Sequence, residues 1–389
     1  MRVSAASSFE RRLARTLFFL ERVSRSYYRE NNVWLPPDFA LREFAAQLWR
    51  GRSYVRHMSF TSSQAVQRFL VEKAPKHFYY SSARYDQPGV DDMDAKGWRS
   101  ADIVFDIDAD HIEGCEDKVV KVKTPAGEAS FLKEECIKLA VLHTEVLLDI
   151  VVEELGFDKR SIKVEFSGHR GFHVTLYLHD SDERARSGQE YRRELVNYVR
   201  GVGLREETLE PWRTLHLKRG KPQPVPPMVW MAGIRGRVAR VALRIAPGLR
   251  NVFAAKSARD AAMLYSSRRE SLERVLEEAK RLAFPCIDEQ VTVDTKRLIR
   301  APYSLNGKTM LTVLPLELER FGSFSLADEL SPFRGMGAIR VEILPIEPQA
   351  TVEVLGHRIR LRGGEKPRLP APVALYLMAK GVAVLAETG

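Results

Sequence analysis

The clearest alternation of apolar and polar residues lies at residues 103–108. Isoleucine and phenylalanine side chains fall on one face of a predicted strand there, and Asp106 and Asp108 fall on the other. A second pair of alternating strands is predicted at 162–166 and 172–178, on either side of a turn that contains two glycines. Because each apolar face needs a core to cover it, this pattern predicts a half-buried sheet.

Apolar residues that recur every three or four positions predict helices elsewhere. The predicted helices lie at 8–30, 38–49, 133–156, 188–201, 268–283 and 372–380. Asp38 follows two prolines and is the expected N-cap of the second helix. Further strands are predicted near 290–293, 310–315, 339–344 and 350–362. Since strands and helices mix without a βαβ rhythm, the fold class is expected to be α+β.

The chain has 389 residues, a net charge of +10 and no apolar run long enough to span a membrane. We therefore expect an intracellular, cytoplasmic protein without a membrane anchor. Segment 211–250 holds nine Lys and Arg residues and no acid, which leaves the rest of the chain close to neutral. A local positive excess favours a polyanionic partner, and Arg235 and Arg237 are the candidate nucleic-acid contacts. A solvated basic insertion without a partner is the alternative.

The acid pair Asp106 and Asp108 is the first candidate site. Two carboxylates on one face of a strand repel each other, and divalent cations relieve that repulsion. Mg²⁺ sites that act on phosphates use few carboxylates together with the substrate's own oxygens. The alternative is an amphipathic edge strand with two exposed acids. Asp110 follows where the strand should end and is expected to be a turn residue.

The turn at 167–173 is the second candidate site. Its glycines allow backbone N–H groups to approach an anion, Ser167 adds a hydroxyl donor, and Arg170 adds a cation suited to phosphate. His173 begins the polar face of the outgoing strand. The turn is therefore a candidate triphosphate cradle, with an ordinary hairpin turn as the alternative.

These segments, taken together, resemble the small catalytic subunit of archaeal and eukaryotic-type DNA primases. The resemblance rests on the acid pair, on the S-G-x-R-G-x-H turn, and on the block from Ile299 to Thr309, and it extends through three further blocks. The further blocks are Arg42-Glu43-Phe44, Arg56-His57-Met58-Ser59-Phe60 and Tyr79-Tyr80-Ser81-Ser82-Ala83. Motif order and spacing agree from about residue 25 to about residue 315.

The resemblance implies a primase-polymerase fold with an RNA-recognition-like catalytic sheet. It also implies template-directed primer synthesis on single-stranded DNA, from nucleoside triphosphates, with two Mg²⁺ or Mn²⁺ ions. One ion would activate the attacking 3′-hydroxyl and the other would steady pyrophosphate. The implied catalytic and metal-binding acids are Asp106, Asp108 and Asp288. The implied nucleotide-binding residues are Arg42, Ser167, Arg170, His173, Arg300, Asn306 and Lys308.

Periodicity alone leaves two candidates for the third acid, and the resemblance selects one of them. In an extended strand Asp288 and Asp294 share one face, so either side chain could complete the site. The family register places the catalytic aspartate eighteen residues before the histidine of its S-L-H-G-K-T block, and this position is Asp288. Asp294 is then expected to orient Arg297 or Arg300.

The sequence departs from the family at three points. Asn306 stands where the family has that histidine, which predicts weaker or altered nucleotide binding. His169 occupies a turn position that is often arginine in the eukaryotic enzymes. The family's zinc knuckle is reduced to His111, Cys115 and Cys136, so a loop at 111–136 without stoichiometric zinc is expected. Three scattered cysteines do not predict a disulfide framework either.

The expected organisation is a catalytic core at 1–201 and 266–389, interrupted by a basic, helical or irregular insertion at 202–265. The expected partners are an iron–sulfur large subunit and the DNA template, which would associate the protein with the nucleoid. Two other functions stay open. One is a stand-alone primase-polymerase or repair polymerase, and the other is a catalytically silent nucleic-acid-binding subunit.

Overall fold

The computed structural model describes residues 8–51, 54–203, 213–215, 223–266 and 268–387, without the side chains of 213–215, 223 and 224. The helices are α1 (Ser8–Glu30), α2 (Ser63–Lys73), α3 (Glu134–Asp149), α4 (Glu183–Arg186), α5 (Gln189–Arg200), α6 (Gly233–Ile245), α7 (Arg250–Phe253), α8 (Ala258–Ser266), α9 (Arg269–Leu282), α10 (Glu289–Val293) and α11 (Ala371–Ala379). Among the described residues, no helix is both long and apolar enough to cross a lipid bilayer.

The strands come in runs between groups of helices, without a βαβ rhythm, which confirms a mixed composition of helix and sheet. They are β1 (Phe44–Gln47), β2 (Tyr54–Met58), β3 (His77–Ser81), β4 (Ala83–Tyr85), β5 (Trp98–Ala101), β6 (Ile103–Asp108), β7 (Val119–Thr124), β8 (Gly127–Leu132), β9 (Ile162–Phe166), β10 (Gly171–Leu176), β11 (Arg213–Leu215), β12 (Gln223–Val225), β13 (Leu298–Arg300), β14 (Leu314–Leu316), β15 (Ala338–Ile343), β16 (Ala350–Val354), β17 (His357–Leu361), β18 (Arg368–Pro370) and β19 (Ala383–Leu385).

The acid pair lies on an antiparallel four-stranded sheet with the order β14-β9-β10-β6. Its apolar face, which includes the buried Phe105, Ile107 and Phe172, packs towards α3. The strands predicted at 103–108, 162–166 and 172–178 are therefore confirmed in position and in the side chains they bury. The relation of this sheet to RNA-recognition-type folds stays a prediction.

A second antiparallel sheet has the order β13-β3-β1-β2. The helix predicted at 38–49 is wrong, because this stretch holds a single 3₁₀ turn, Phe39–Leu41, followed by strand β1. Pairing of β1 with both β2 and β3 buries Phe44 completely, and that tertiary burial outweighs local helix propensity. Asp38 does not cap a helix, since its carboxylate binds Arg42 instead.

A buried carboxylate lies where the two sheets meet. Asp102, directly before β6, is fully buried and forms ion pairs of 2.8 Å with Arg42 and with Arg84. Arg84 also donates to the backbone oxygen of Leu178, just beyond β10, at 2.8 Å. Removing charges from water is costly unless they are paired in this way. The network therefore fixes the start of β6 relative to both sheets.

The described part of the predicted insertion is mainly helical. Helix α6 packs on α3 and on the π-helical turn Ile150–Glu154 that continues it. Arg237 forms a buried ion pair of 2.6 Å with Glu154, and Arg244 binds Asp149 at 3.0 Å. Helix α6 thus presents its arginines to an acidic helix, which neutralises part of the local charge excess.

The candidate DNA contact at Arg237 is therefore wrong, because its side chain is only 1% exposed. Charge counting could not find this, since the compensating acids lie more than eighty residues earlier in the sequence. Arg235 is half-buried and forms no ion pair among the described residues. Lys218, Arg219 and Lys221 lie outside the described residues, as does the side chain of Arg213.

The C-terminal unit, residues 338–387, combines β15, β18 and β19 with helix α11 and the hairpin β16–β17. It packs against α1, where the backbone N–H of Leu385 donates to Thr16 at 2.9 Å. It also contacts the hairpin β7–β8. That hairpin occupies much of the segment 111–136 that was expected to be a loop.

We predict that Arg237→Met lowers the free energy of unfolding by about 3 kcal/mol, because it leaves the buried Glu154 with less compensation. Arg235→Met, two residues away, should change stability by less than about 0.5 kcal/mol. Urea denaturation of both variants measures the difference. Equal stability of the two variants would contradict a buried ion pair at Arg237.

Candidate functional site

A cavity of about 520 Å³ opens between the two sheets. Four aspartates line it, together with a larger set of basic residues. The acids are Asp106, Asp108, Asp288 and Asp294, and the basic and imidazole side chains are Arg56, His169, Arg170, His173, Lys296, Arg297, Arg300 and Lys308. Carboxylates that can bind cations thus lie beside cations that can bind phosphate.

Strand register brings the acid pair to the predicted turn. Asp106 lies opposite His173 and Asp108 lies opposite Gly171 in the antiparallel pairing of β6 with β10. The Nε2 atom of His173 is 3.8 Å from Oδ1 of Asp106. The two sequence features that we predicted separately therefore form one site.

The two carboxylates of the acid pair are buried close together, and this arrangement favours cation binding. Burial, and then the nearby Asp288, raise the pKa of Asp106 to about 6 despite the opposing effect of Arg300. Burial and the neighbouring Asp106 also raise the pKa of Asp108. Oδ1 of Asp106 is buried without a hydrogen-bond partner among the described residues. A cation would supply that missing partner and lower both pKa values.

The structure brings Asp288 to this acid pair. Its backbone N–H donates to the carbonyl oxygen of Asp106 at 2.9 Å, and its carboxylate caps α10 by accepting from Gln290 at 2.9 Å. The strand predicted near 290–293 is wrong, because these residues form helix α10. Asp294 ends that helix and accepts from the backbone N–H of Lys296 at 2.8 Å, which shapes the loop leading to β13.

Close packing explains the two glycines of the turn. Gly168 has φ +74°, and a Cβ atom there would lie 2.9 Å from Cβ of Asn306. A Cβ atom at Gly171 would lie 2.3 Å from the carbonyl oxygen of Ile107. The hydroxyl of Ser167 accepts from the N–H of Gly171 at 3.3 Å, so it also stabilises the turn.

Arg170 and His173 extend from the turn into the cavity. Arg170 forms an ion pair of 2.7 Å with Asp110 and lies 3.9 Å from Asp108, which orients its guanidinium group. Burial, followed by the charge of Arg300, lowers the pKa of His173 to about 4. His173 is therefore neutral at pH 7 and can offer a hydrogen bond but no charge.

Residues 298–309 supply further basic side chains to the cavity, in addition to Arg170 on the turn. Arg300 lies on β13 opposite Tyr79, and its guanidinium carbon is 5.7 Å from the centre of that ring. Lys308 has a lowered pKa, through burial and then through repulsion by Arg300. A bound polyanion would relieve this repulsion.

Two predicted nucleotide-binding residues do not line the cavity. Arg42 is fully buried and pairs with Asp38 and Asp102, so its role is to join the sheets. Asn306 is also fully buried and donates to the carbonyl oxygen of Ser167 at 2.8 Å. Its substitution for histidine thus changes the support of the turn and not the surface of the cavity.

The predicted zinc ligands are not assembled as a set. Cys115 and Cys136 form a disulfide, which leaves neither as a free thiolate. Sequence spacing could not predict this pairing, since it depends on how the loop after β6 folds onto the start of α3. His111 lies instead with Asp108 and Asp110, and one ligand atom from each falls within 4.8 Å of the others.

The sequence analysis missed other residues that line the cavity, among them Tyr54, Arg56, Tyr79 and Arg297. Arg56 and Tyr79 stand in blocks that resemble the primase family, and that signal could have identified them. Arg297 was expected only as a partner of Asp294, although it adjoins the block that resembles the primase family. Tyr54 carries no such signal, because only the pairing of β2 with β1 brings it to the cavity.

Comparison with known proteins identifies one family. The family model described as DNA primase small subunit matches residues 105–318. The DNA primase small subunit PriS of Hyperthermus butylicus is 54% identical, over 96% of this chain and 98% of that protein. PriS of Pyrobaculum arsenaticum is 35% identical, over 91% and 95% respectively.

Among solved structures, the polymerase domain of Mycobacterium tuberculosis ligase D in complex with DNA has a TM-score of 0.30 and 11% identity. The match covers 79% of this chain and 82% of that chain. We base no conclusion on a similarity of this size.

We predict that Asp288→Asn abolishes nucleotide transfer, whereas Asp294→Asn lowers its rate by roughly 10- to 100-fold. The first change removes a carboxylate next to Asp106, and the second affects only the loop before β13. Single-turnover rates at saturating Mn²⁺ test this order. An inactive Asp294→Asn with a near-normal Asp288→Asn would move the third ligand to Asp294.

We also predict a pH-dependent stabilisation by Asp106→Asn in metal-free buffer. A folded-state pKa of about 6, above the ordinary value, means that Asp106 costs stability as the pH rises through 6. The variant should therefore be more stable than the wild type at pH 7.5, by no more than about 2 kcal/mol because the side chain is 18% exposed.

This difference should disappear near pH 4, and saturating Mn²⁺ should stabilise the wild type more than the variant. Thermal unfolding at both pH values, with EDTA or with Mn²⁺, measures these effects. A constant difference between pH 4 and pH 7.5 would show that the ionisation of Asp106 carries no such cost.

Proposed function

Because the chain belongs to the family of DNA primase small subunits, we propose that the cavity between the two sheets is the site at which it joins nucleotides into primers. Members of this family are DNA-directed nucleotidyltransferases, and this protein is one of them. The observation that carries the proposal is the single cavity in which the acid pair, Asp288 and the basic turn meet.

We propose that Asp106, Asp108 and Asp288 hold two divalent ions, Mg²⁺ or Mn²⁺. The raised pKa values of the acid pair and the unpartnered Oδ1 of Asp106 support this assignment, because both describe carboxylates that lack a counter-charge. When bound, such ions would make a primer 3′-hydroxyl a better nucleophile and neutralise charge on the phosphates.

The protein's own contribution is to bind and orient the triphosphate. Arg170 approaches the cavity from the glycine turn, and Arg300 and Lys308 approach it from β13 and the loop that follows. These three side chains would hold the β- and γ-phosphates. Neutral His173, directly beside Asp106, would donate a hydrogen bond to a phosphate oxygen without competing with the ions for charge. The buried Asn306 holds the turn in place from behind.

The template and the partner are further parts of the proposal. We expect single-stranded DNA to enter the cavity past the exposed Tyr54 and Arg56 on strand β2. We also expect an iron–sulfur large subunit to bind the protein, as the family resemblance implies. Stable co-purification of both subunits would separate this function from that of a stand-alone primase-polymerase.

A catalytically silent subunit is the other candidate. It was suggested by Asn306 and by the reduced zinc knuckle. However, the side chain of Asn306 does not line the cavity. The three acids proposed to bind metal do line it, together with the basic side chains. These observations favour an active enzyme.

Primer synthesis on a poly-pyrimidine single strand, with Mg²⁺ or Mn²⁺, tests the proposal directly. The wild-type protein should make primers, and both Asp106→Asn and Asp108→Asn should reduce synthesis by several orders of magnitude while the fold stays intact. Asp91→Asn, an exposed acid away from the cavity, is the matched control and should retain full activity. Near-normal synthesis by either catalytic variant would rule out the proposed ion site.

A further inference from the structure

The C-terminal unit contributes a lysine to the back of the glycine turn. Lys380 follows helix α11, and its Nζ atom lies 2.6 Å from Nε2 of His169 and donates to the carbonyl oxygen of Ser130 at 2.9 Å. The rings of Phe131 and Tyr376 lie 5.8 and 5.6 Å from the same ammonium group. Lys380 therefore has a built, half-buried position and is not a surface lysine in chance contact.

A small cavity of about 30 Å³ separates Lys380 from the candidate phosphate-binding residues. His169 and Arg170 line both this small cavity and the large one between the sheets. The turn is thus a thin wall, with the large cavity on one side and Lys380 on the other. His169 and Arg170 are therefore the side chains that connect Lys380 with the large cavity.

The contact with His169 has a chemical consequence. When Lys380 is protonated, its ammonium group can only donate, so Nε2 of His169 then accepts and the ring proton lies on Nδ1. Burial and the adjacent Lys380 hold the pKa of His169 well below its ordinary value, so the ring stays neutral. An arginine at this position would have no acceptor and could not bind Lys380 in this way.

Positive charge is also concentrated at this wall. Burial, then Arg170, then Lys308 lower the pKa of Lys380 to about 7. Arg170 is one of these cations, and its ion pair with Asp110 offsets part of the repulsion between Arg170 and Lys380. A polyanion bound on the other side of the turn would relieve the remaining repulsion between these cations. This relief would strengthen the binding of the anion.

We propose that Lys380 is a positioning residue for the triphosphate, which holds His169 in one tautomer and adds positive charge behind Arg170. This inference rests on the proposed function, because it assumes that the turn binds the phosphates of the incoming nucleotide. It also assigns the C-terminal unit, which lies beyond the region 105–318 that matches the family model, a part in nucleotide binding.

Kinetics of primer extension test the proposal. Lys380→Met should raise the KM for nucleoside triphosphate by roughly 10- to 100-fold, the usual effect of losing a residue that supports a binding group from behind, and change kcat by less than about 3-fold. The inhibition constant of inorganic tripolyphosphate, which has no base or sugar, should rise in parallel. Lys366→Met, an exposed lysine of the same unit, should change neither constant.

A double-mutant cycle shows whether Lys380 acts through His169. His169→Gln and Lys380→Met should each raise the KM, and the double variant should be little worse than the more severe single variant. Methionine fits between the rings of Phe131 and Tyr376, so we expect a folded protein, which thermal unfolding would check. If that variant is unfolded, Lys380→Gln, which keeps a donor to His169, should still raise the KM, because the positive charge behind Arg170 is lost.

The outcomes separate this inference from the proposed function. An unchanged KM for Lys380→Met, a loss confined to kcat, an unchanged tripolyphosphate constant or strictly additive effects would each overturn the role of Lys380. The proposed function would survive all of these results as long as Asp106→Asn remains inactive. Full activity of Asp106→Asn would instead overturn the proposed function itself.

Discussion

The register between β6 and β10 is the constraint on which the rest of the site depends. It sets Asp106 opposite His173 and Asp108 opposite Gly171, and so joins the acid pair to the turn. A shift by one residue would move both carboxylates to the apolar face, because strand side chains alternate. Gly171 permits this register, since a Cβ atom there would collide with the carbonyl oxygen of Ile107.

The polar network around Asp102 holds this register in place within the whole fold. Arg42 lies just before β1 of the second sheet, and Arg84 lies on β4. Both bind the carboxylate of Asp102, which directly precedes β6. A buried charge that loses its partners is strongly unfavourable, so alternative placements of β6 are disfavoured as well. The hydroxyl groups of Tyr80 and Tyr177 make a further contact between the two sheets. This contact between the two sheets behind the cavity is therefore polar, and its residues serve position more than chemistry.

The charges of the protein fall into two kinds with different functions. The arginines of α6 are matched by Asp149 and Glu154, so they attach the insertion to α3. The cations around the turn are less fully paired, although Arg170 binds Asp110. Burial, and then repulsion by neighbouring cations, lowers the pKa values of Lys308 and Lys380. Net charge alone cannot distinguish these two groups. Only the uncompensated group retains the capacity to attract a polyanion.

The sequence by itself determined the local features of this site. Alternation along 103–108 predicted the strand and the common face of Asp106 and Asp108, and the glycine-rich turn predicted an anion cradle with Arg170 and His173 beside it. The strand and the turn formed as predicted, because strand periodicity and glycine conformation act over a few residues, whereas the anion cradle stays a prediction. Residues 8–30 likewise formed the predicted helix.

Tertiary structure decided what depends on contacts between distant segments. Asp288 reaches the acid pair through a backbone hydrogen bond across 182 residues of sequence, from a helix that was expected to be a strand. The side chains of Arg42 and Asn306 do not line the cavity, because they bind buried partners. Lys380, near the C-terminal end of the sequence, contacts the turn through His169. No local pattern encodes such pairings, since they exist only once the packed sheets exclude water and set which charges meet.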